Sequence, residues 1–178
     1  PESPCKRRAI RKVLVALEGV DEARHLISYV LEQLAGVREV EVAFRFHPVL
    51  PAEYFERKYG FSFSANANVS VSSGSLAQAI ESADVLVYCS TTVSLEALMV
   101  GKPVVHFHGG VLLSLDPLFA CPHHKWVVTR DKSLIDVFRQ IDDLSDTAFR
   151  NGQDQARAYI RRYFEPVRDE VVERFFSA

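Results

Sequence analysis

The sequence of 178 residues predicts an α/β fold in which about six parallel strands form an open sheet with helices on both faces. Short, almost wholly apolar runs such as Val85–Tyr88 and Val104–Phe107 recur along the chain, and strands of this kind are covered on both faces. Between these runs, apolar residues recur at helical spacing. The composition, 48% hydrophobic and 25% charged, is that of a globular protein, and the length suits one domain with its own core.

In the first half of the chain, strands and helices are predicted to alternate. The strands are expected at residues 10–17, 40–46 and 68–72, and the helices at residues 21–36, 52–59 and from 75 onward. Asp21 is expected to cap the first helix and Gly36 to end it. Ser75 and Gln78 form the Ser-x-x-Gln pattern of a capping box, which marks the start of another helix.

The second half continues the alternation. Strands are expected at residues 85–88, 104–107 and 126–129, and helices at residues 92–100, near 132–143 and from 146 to the end. Residues 1–9 are interpreted as a linker at the edge of the chain, and residues 10–178 as a single Rossmann-like domain that ends in helices. In sheets of this type, ligands bind beyond the carboxyl ends of the strands, where loops meet helix N-termini.

Charge and composition exclude several classes of function. The chain has 21 Lys and Arg residues against 23 Asp and Glu, a net charge of −2, whereas non-specific nucleic-acid binders and membrane-surface proteins are usually basic. No apolar run approaches the ~20 residues of a membrane span. The cysteines lack metal-ligand spacing, and Cys121-Pro122-His123-His124 has no second cluster to complete a metal site. We therefore expect reduced thiols, a cytoplasmic location and no metal.

Three hydroxyl residues, Ser90, Thr91 and Thr92, lie between a buried strand and a helix. Hydroxyls, free backbone N–H groups and the helix dipole at such a junction all favour an anion. Ordinary helix capping is the alternative, but capping needs one hydroxyl and leaves the other two without a structural role. The sequence therefore predicts a phosphate or diphosphate site here.

Glu96 is the acidic residue of the following helix, which is otherwise largely apolar. At about 100° per residue it shares a stripe with Thr92 and Met99. We expect this helix to be buried, so that the carboxylate needs a strong hydrogen-bond donor, such as the hydroxyls of a ribose. The alternative is a glutamate on the one edge of the helix that faces solvent.

Three other strand ends place polar residues at the same edge. Gly19 follows the first strand, and Gly74 and Ser75 follow the third. His47 follows the second strand, and Pro48 forces it into an extended conformation that presents its ring at the strand tip. Histidine can hydrogen-bond a phosphate or carry a proton near neutral pH. A structural loop histidine is the alternative.

The segment from Ala83 to Val105 resembles a signature of GT-B-type glycosyltransferases. It combines an Ala-Asp-Val-Leu-Val strand, the hydroxyl-rich stretch from Ser90, the pair Glu96-Ala97 and a Gly-Lys-Pro-Val sequence. In that family the signature marks the C-terminal, nucleotide-sugar-binding domain. The order of the predicted elements between residues 10 and 143 resembles that domain as well.

The resemblance implies roles for particular residues. Glu96 matches the family's ribose-binding glutamate, and the segment 90–92 matches the hydroxyl and N–H groups near the donor phosphates. Gly19 lies in the loop that faces the interdomain cleft. In the family, helix N-termini and side chains hold the phosphates, and this chain has no Asp-x-Asp metal motif. The resemblance therefore implies a nucleotide-sugar substrate with no further cofactor.

The sequence Arg45-Phe46-His47-Pro48 is similar to the His-Pro motif of bacterial sialyltransferases and of polyglycerol-phosphate and capsule-type transferases. Those enzymes use cytidine-activated donors, so the similarity favours a CMP- or CDP-linked donor over a UDP-linked one. It also implies a cell-surface or capsular glycan as acceptor. The residues at 109–111, Gly-Gly-Val, lack the Gln or Asp-Gln with which many hexose transferases hold the donor sugar. The identity of the sugar therefore stays open.

The resemblance covers one half of a two-domain enzyme. In the family, the acceptor site and usually the catalytic base lie on an N-terminal domain. We therefore expect such a domain as the partner, assign no catalytic residue, and expect the isolated chain to be inactive. Any peripheral association with a membrane would come through the full-length protein.

Two alternatives to a transferase stay open. One is the matching half of a nucleotide-sugar 2-epimerase, which shares the Glu-Ala and Gly-Lys-Pro sequences. Epimerases typically surround that glutamate with more acidic and glycine residues than this chain has. The other is a non-catalytic α/β module that has kept the fold and lost the ligand.

Overall fold

The structure, a computed structural model, describes residues 9–109 and 115–164. Within these ranges six strands form one sheet, all parallel, in the order β3-β2-β1-β4-β5-β6. The strands are β1 (Lys12–Ala16), β2 (Glu41–Arg45), β3 (Val69–Val71), β4 (Val85–Tyr88), β5 (Val104–Phe107) and β6 (Lys125–Val128). The prediction of an open, Rossmann-like parallel sheet is confirmed.

Helices cover both faces of the sheet. They are α1 (Ala23–Leu34), α2 (Ala52–Tyr59), α3 (Leu76–Ser82), α4 (Val93–Met99), α5 (Leu134–Asp142) and α6 (Asp146–Ile160). On one face α1, α2 and α5 bury their apolar residues against alternate residues of the strands. On the other face α3, α4 and the end of α6 do the same. Each strand of the sheet's centre therefore contributes to two cores, as its continuous apolar sequence requires.

Aromatic side chains fix the position of β2 and the loop that follows it. Phe44 and Phe46 pack against Phe63, with ring centroids 5.2 and 5.0 Å apart. Phe46 also packs on Phe55 of α2 at 5.7 Å. Such ring pairs add to the free energy gained from burying their surface. The chain between β2 and α2 is therefore held at both ends.

The Gly-Lys-Pro sequence has a structural role. The Lys102 ammonium, on a side chain that is largely buried, donates to the backbone carbonyls of Glu81 (2.8 Å) and Ala83 (2.6 Å), which end α3. Gly101 has a φ of 84°, and its carbonyl accepts from Gln153 of α6 at 2.7 Å. These bonds satisfy carbonyl groups that helices leave without partners, and they fix α4 relative to α3 and α6.

The predicted capping by Asp21 is wrong. The residue at the start of α1 is Glu22, and no side chain caps the helix. Instead, the Asp21 carboxylate accepts hydrogen bonds from Tyr59, from Tyr54 (2.7 Å) and from Lys58 (3.0 Å) of α2. These bonds lower the pKa of Asp21. An ammonium and two phenol groups on a neighbouring helix outcompete one backbone N–H for the carboxylate.

Other local predictions are confirmed. Ser75 and Gln78 form the capping box of α3, with both reciprocal bonds present. Gly36, which was predicted to end α1, directly follows the C-cap residue Ala35 and has a left-handed φ of 85°. The predicted linker residues up to position 8, the Gly-Val pair at 110–111 and the helical sequence around Pro166 lie outside the described residues. Within the described ranges, no helix is long and apolar enough to cross a membrane.

Replacing Lys102 with methionine keeps the aliphatic volume and removes the ammonium. We expect Lys102→Met to lower the free energy of unfolding by about 1–3 kcal/mol, because two buried carbonyls lose a charged donor. Urea unfolding measures the loss. Lys132→Met at an exposed lysine is the control, with an expected change within about 0.5 kcal/mol. Equal unfolding midpoints for the two variants would show that the Lys102 bonds add nothing to stability.

Candidate functional site

Four loops meet at the carboxyl edge of the sheet. They follow β1, β2, β3 and β4, and β1 lies between β2 and β4 in the sheet. Val15 of β1 aligns with Phe44 of β2 and with Val87 of β4, so the three central strands end at nearly the same level. The residues that the sequence singles out after these strands are therefore neighbours at one edge.

Gly19 and His47 are in close contact. A Cβ atom at position 19 would lie 2.6 Å from the His47 Nδ1 atom, so the imidazole occupies the space that only glycine leaves. The same Nδ1 atom accepts a hydrogen bond from the Val49 N–H at 3.2 Å. A neutral His47 ring therefore carries its proton on Nε2. That N–H has no partner among the described residues and is available to a ligand.

The β4–α4 loop offers donors of its own. The Thr91 hydroxyl accepts from the Val93 N–H at 3.3 Å, which uses one of the three hydroxyl groups for a capping bond. Thr92, at the start of α4, is exposed and its side chain makes no capping bond. Among the described residues, the backbone N–H groups of Thr91 and Thr92 have no hydrogen-bond acceptor. The loop therefore has the donors that an anion needs.

Glu18 follows β1 at the same edge of the sheet, where the sequence analysis considered only its neighbour Gly19. Its Oε2 atom is buried and has no hydrogen-bond partner among the described residues. Burial raises the pKa of Glu18, although the hydroxyl and N–H of Ser90 face the carboxyl group and oppose this. Burial and the nearby Glu18 raise the pKa of the Cys89 thiol to about 12. A glutamate directly after an apolar strand, at the ligand-binding edge, was the signal available in the sequence.

Glu96 is exposed, and the expectation of buried surroundings for it is wrong. The helix α4 turns Ser94, Leu95, Ala97 and Leu98 toward the protein and leaves Glu96 on the opposite side. As expected, Glu96 shares its stripe with Thr92, which is one helical turn or about 6 Å away along the axis. Its carboxylate is therefore accessible to a ligand that contacts the start of α4.

Gly74 and Ser75 serve the local fold. The Ser75 hydroxyl accepts from the Gln78 N–H at 3.2 Å and lies 3.0 Å from the Gln78 side-chain oxygen, so the capping box uses it fully. Gly74 has a φ of 80°, and its carbonyl accepts from the Arg45 guanidinium at 2.8 Å. Arg45 thereby becomes a fixed positive charge at this edge, which the sequence analysis did not assign to the site.

The described residues include no cluster of histidine, cysteine and carboxylate side chains fit to hold a metal ion. In the Cys121–His124 segment, the Cys121 thiol donates to the His123 carbonyl and the His124 ring contacts the Gly101 carbonyl. What the edge does combine is N–H donors, an imidazole, a guanidinium and two carboxylates. Such a set suits a ligand with an anionic group and neighbouring hydroxyls.

No known family model matches the chain, and no curated protein matches it. Solved structures do match. The glycosyltransferase SnogD from Streptomyces nogalater matches 87% of the chain at 17% identity and a TM-score of 0.59, and TarM matches 99% at 14% identity and a TM-score of 0.61. The C-terminal domain of LpcC, a glycosyl transferase group 1 family protein from Francisella tularensis, matches 94% at 12% identity and a TM-score of 0.50.

The fold is therefore similar to folds found in SnogD and in the C-terminal domain of LpcC. A predicted UDP-N-acetylglucosamine 2-epimerase from Listeria monocytogenes has a similar fold, matching 84% of the chain at 11% identity and a TM-score of 0.52. The chain spans 40% of SnogD, 36% of TarM and 39% of the epimerase, but 97% of the LpcC C-terminal domain. It therefore corresponds to one domain of larger proteins.

Replacing Glu18 with glutamine tests whether burial of its carboxyl group lowers the stability of the folded protein. Because the pKa of Glu18 is raised in the folded protein, folding favours the protonated form, and stability falls as the pH rises through that pKa. Glu18→Gln cannot ionise. At pH 8 we expect the unfolding temperature of this variant to be about 2–4 °C higher than that of the unsubstituted protein. The difference between the two unfolding temperatures should become smaller toward pH 4.

Thermal unfolding between pH 4 and pH 8 measures this effect. Glu39→Gln, at an exposed glutamate between α1 and β2, is the control and should unfold within about 1 °C of the unsubstituted protein at pH 8. A Glu18→Gln protein that is less stable at pH 8 would mean that the carboxylate is well solvated or paired.

Proposed function

We propose that this chain is the donor-nucleotide-binding half of a GT-B glycosyltransferase. The whole enzyme would move a sugar from a CMP-, CDP- or UDP-linked donor to a cell-surface or capsular glycan. The observation that carries the proposal is the combination of unpartnered N–H groups at Thr91 and Thr92, before α4, with the exposed Glu96 carboxylate one helical turn after Thr92. The general rule that open parallel sheets bind ligands beyond the carboxyl ends of their strands supports the proposal, because α4 begins at that edge.

Phosphate recognition is assigned to the loops after β2 and β4. The Thr91 and Thr92 N–H groups would donate to phosphate oxygens, and the start of α4 adds a favourable dipole. The His47 Nε2–H would donate from the neighbouring loop, because its Nδ1 atom is already occupied by the Val49 N–H. Donors from two loops then surround one anionic group.

Ribose recognition is assigned to Glu96. A carboxylate has two oxygens that accept hydrogen bonds, and it can therefore hold the two neighbouring hydroxyls of a ribose. The distance of about one helical turn between Glu96 and Thr92 is comparable to the separation of the ribose hydroxyls from the 5′-phosphate. Exposure of Glu96 suits this role, because a free carboxylate has no competing protein donor.

The charges at the edge favour a donor with a single phosphate. Glu18 lies beside Ser90 at the base of the phosphate loop, and each negative charge added to a ligand there increases the repulsion. A sugar linked to a nucleoside monophosphate has one phosphate charge, whereas a diphosphate link has two. This argument and the similarity of His47-Pro48 to the motif of cytidine-dependent enzymes both support a CMP-linked donor.

The rest of the enzyme is proposed to come from an N-terminal acceptor-binding domain, since the chain spans 36–40% of the first matched proteins. The isolated chain would then bind nucleotide without transferring sugar. We expect no metal or other cofactor in nucleotide binding. The cytoplasm is the proposed location, with any membrane association arising from the full-length protein.

Half of a nucleotide-sugar 2-epimerase is the second candidate function, because a predicted enzyme of that class has a similar fold. The two candidates differ in ligand preference. A transferase domain with a cytidine-activated donor should bind CMP more tightly than UDP or UDP-N-acetylglucosamine, and an epimerase half should show the reverse. A non-catalytic module would bind none of them at millimolar concentration.

Two substitutions test the assignment of the ligand groups. Glu96→Gln should weaken the binding of CMP and of cytidine alike by about 1.5–3 kcal/mol, because the ribose hydroxyls lose a charged hydrogen-bond acceptor. His47→Ala should weaken CMP and leave cytidine nearly unchanged, because cytidine has no phosphate. Ligand-observed NMR titration measures all four affinities.

Glu81→Gln is the control for charge removal, since Glu81 is an exposed glutamate on α3, at the opposite edge of the sheet. It should change neither affinity. If His47→Ala weakened cytidine as much as CMP, the phosphate assignment would be wrong even though binding itself would stand.

A further inference from the structure

We propose that a buried network of Asp116, Tyr88 and Ser94 positions the β4–α4 loop so that its N–H groups face the ligand's phosphate. Asp116, Tyr88 and Ser94 are then positioning residues that act through the loop and touch no ligand. The inference rests on the proposed function, since it explains how the phosphate donors are presented.

Asp116 is the fixed centre of the network. Its Oδ1 atom accepts from the Tyr88 hydroxyl at 2.7 Å and from the Leu118 N–H at 2.9 Å, and its Oδ2 atom accepts from the Lys125 ammonium at 2.7 Å. Burial acts to raise the pKa of Asp116, but these donors outweigh it and hold the pKa below its usual value. Asp116 is therefore a charged acceptor that is fixed on several sides.

Tyr88 connects Asp116 to the loop. It is the last residue of β4 and is fully buried. Burial and the neighbouring carboxylate raise the pKa of Tyr88, so the phenol keeps its proton and donates it to Asp116. The Ser94 side chain lies beside the Tyr88 oxygen. The Ser94 hydroxyl, also fully buried, donates to the Thr91 carbonyl at 2.9 Å.

His106 supports the loop at its other end. The ring of His106 faces the Cys89 backbone carbonyl, and its Nδ1 atom lies 3.8 Å from Asp116 Oδ2. Burial lowers the pKa of His106 more than Asp116 raises it, so the ring is neutral at pH 7. The Cys89 carbonyl is thus directed toward the buried His106 ring, and the Thr91 carbonyl is directed toward the first turn of α4, where it accepts from both the hydroxyl and the N–H of Ser94.

Because the peptide bond is planar, the direction of each of these carbonyl groups also fixes the direction of the next N–H group. In a trans peptide the carbonyl of one residue and the N–H of the next point in opposite directions. The Cys89 carbonyl therefore directs the Ser90 N–H away from His106, and this N–H faces the Glu18 carboxyl group. By the same rule the direction of the Thr91 carbonyl turns the Thr92 N–H the opposite way, toward the space assigned to the phosphate.

A buried ion pair is by itself weak evidence for stabilisation. Replacing such a pair with apolar residues is often neutral or stabilising, because taking two charges out of water costs about what their attraction returns. The Asp116–Lys125 pair, with both side chains less than a tenth exposed, supplies something that an apolar core does not. It provides directional acceptors and donors that select one orientation of Tyr88.

Tyr88→Phe tests the proposal by removing one hydroxyl. We expect this variant to bind CMP about 5–10-fold more weakly, since one buried hydrogen bond contributes on the order of 1 kcal/mol, while cytidine affinity changes less than about 2-fold. Amide hydrogen exchange in the ligand-free protein should become faster at Val93 and Ser94, whose N–H groups donate to Thr91. Ser94→Ala removes the shorter of the two Ser94 bonds to the Thr91 carbonyl and should give the same pattern.

Tyr29→Phe is the matched control. Tyr29 is also buried, and its hydroxyl donates to the Lys132 carbonyl at 2.8 Å on the other face of the sheet. This variant should leave the CMP-to-cytidine affinity ratio and the exchange at Val93 and Ser94 unchanged.

The possible results distinguish a failure of the proposed function from a failure of the positioning role. If the unsubstituted protein binds neither ligand, the proposed function fails, and the positioning role fails with it. If it binds CMP, and Tyr88→Phe and Ser94→Ala keep the unsubstituted affinity ratio, the positioning role alone is overturned. An equal loss of CMP and cytidine binding would also overturn it, because that loss shows a general structural effect. If Tyr88→Phe does not fold, the Ser94→Ala ratio decides.

Discussion

In the proposed function, the orientation of two backbone carbonyls determines which groups the carboxyl edge of the sheet offers to a ligand. A loop can present N–H groups to an anion only if its carbonyl groups are satisfied elsewhere, because each peptide carries a donor and an acceptor on opposite sides. In this protein the Ser94 hydroxyl donates to the Thr91 carbonyl, and the His106 ring faces the carbonyl of Cys89. A ligand with negative charge and no donors of its own then meets N–H groups in place of repulsive oxygens.

The surrounding fold keeps this loop and its neighbours in register. The central position of β1 brings the loops after β2 and β4 to either side of Gly19, and the absence of a side chain there admits the His47 ring. The start of α4 is fixed from the other end of the helix, where Gly101 and Lys102 bond to α6 and to the end of α3. Residues far from the edge therefore determine where its donors lie.

Much of the fold could be predicted from the sequence, because apolar runs and helical spacing are local signals. The capping box at Ser75 is local too, and it formed as predicted. Predictions failed where distant residues decide the outcome. Asp21 bonds to α2 residues more than thirty positions away instead of capping α1. The exposure of Glu96 follows from which side of α4 meets the sheet, and the spacing of residues alone left both answers open.

The site was only partly predictable for the same reason. Polar residues after apolar strands correctly indicated which loops meet at one edge. The burial of Glu18 depends on Ser90 and Cys89, some seventy positions later, and the sequence gives no sign of which side chains close around it. The hydrogen bonds around Asp116 could not be predicted from the sequence either, since the residues involved lie on two strands, a helix and a loop. Their relation exists only once the sheet has formed.

Titration of the ¹⁵N-labelled protein with CMP, in the presence of EDTA, tests the central claim most directly. The account predicts saturable shifts of the amide signals of Ser90, Thr91, Thr92 and Glu96, with a dissociation constant of roughly 0.1–10 mM, because one domain supplies only part of the contacts of a two-domain cleft. Cytidine should shift the Glu96 amide and leave the Thr92 amide nearly unmoved. If CMP at 10 mM shifted none of these amides, or shifted them only when a divalent metal was added, this edge would not be the phosphate site described above.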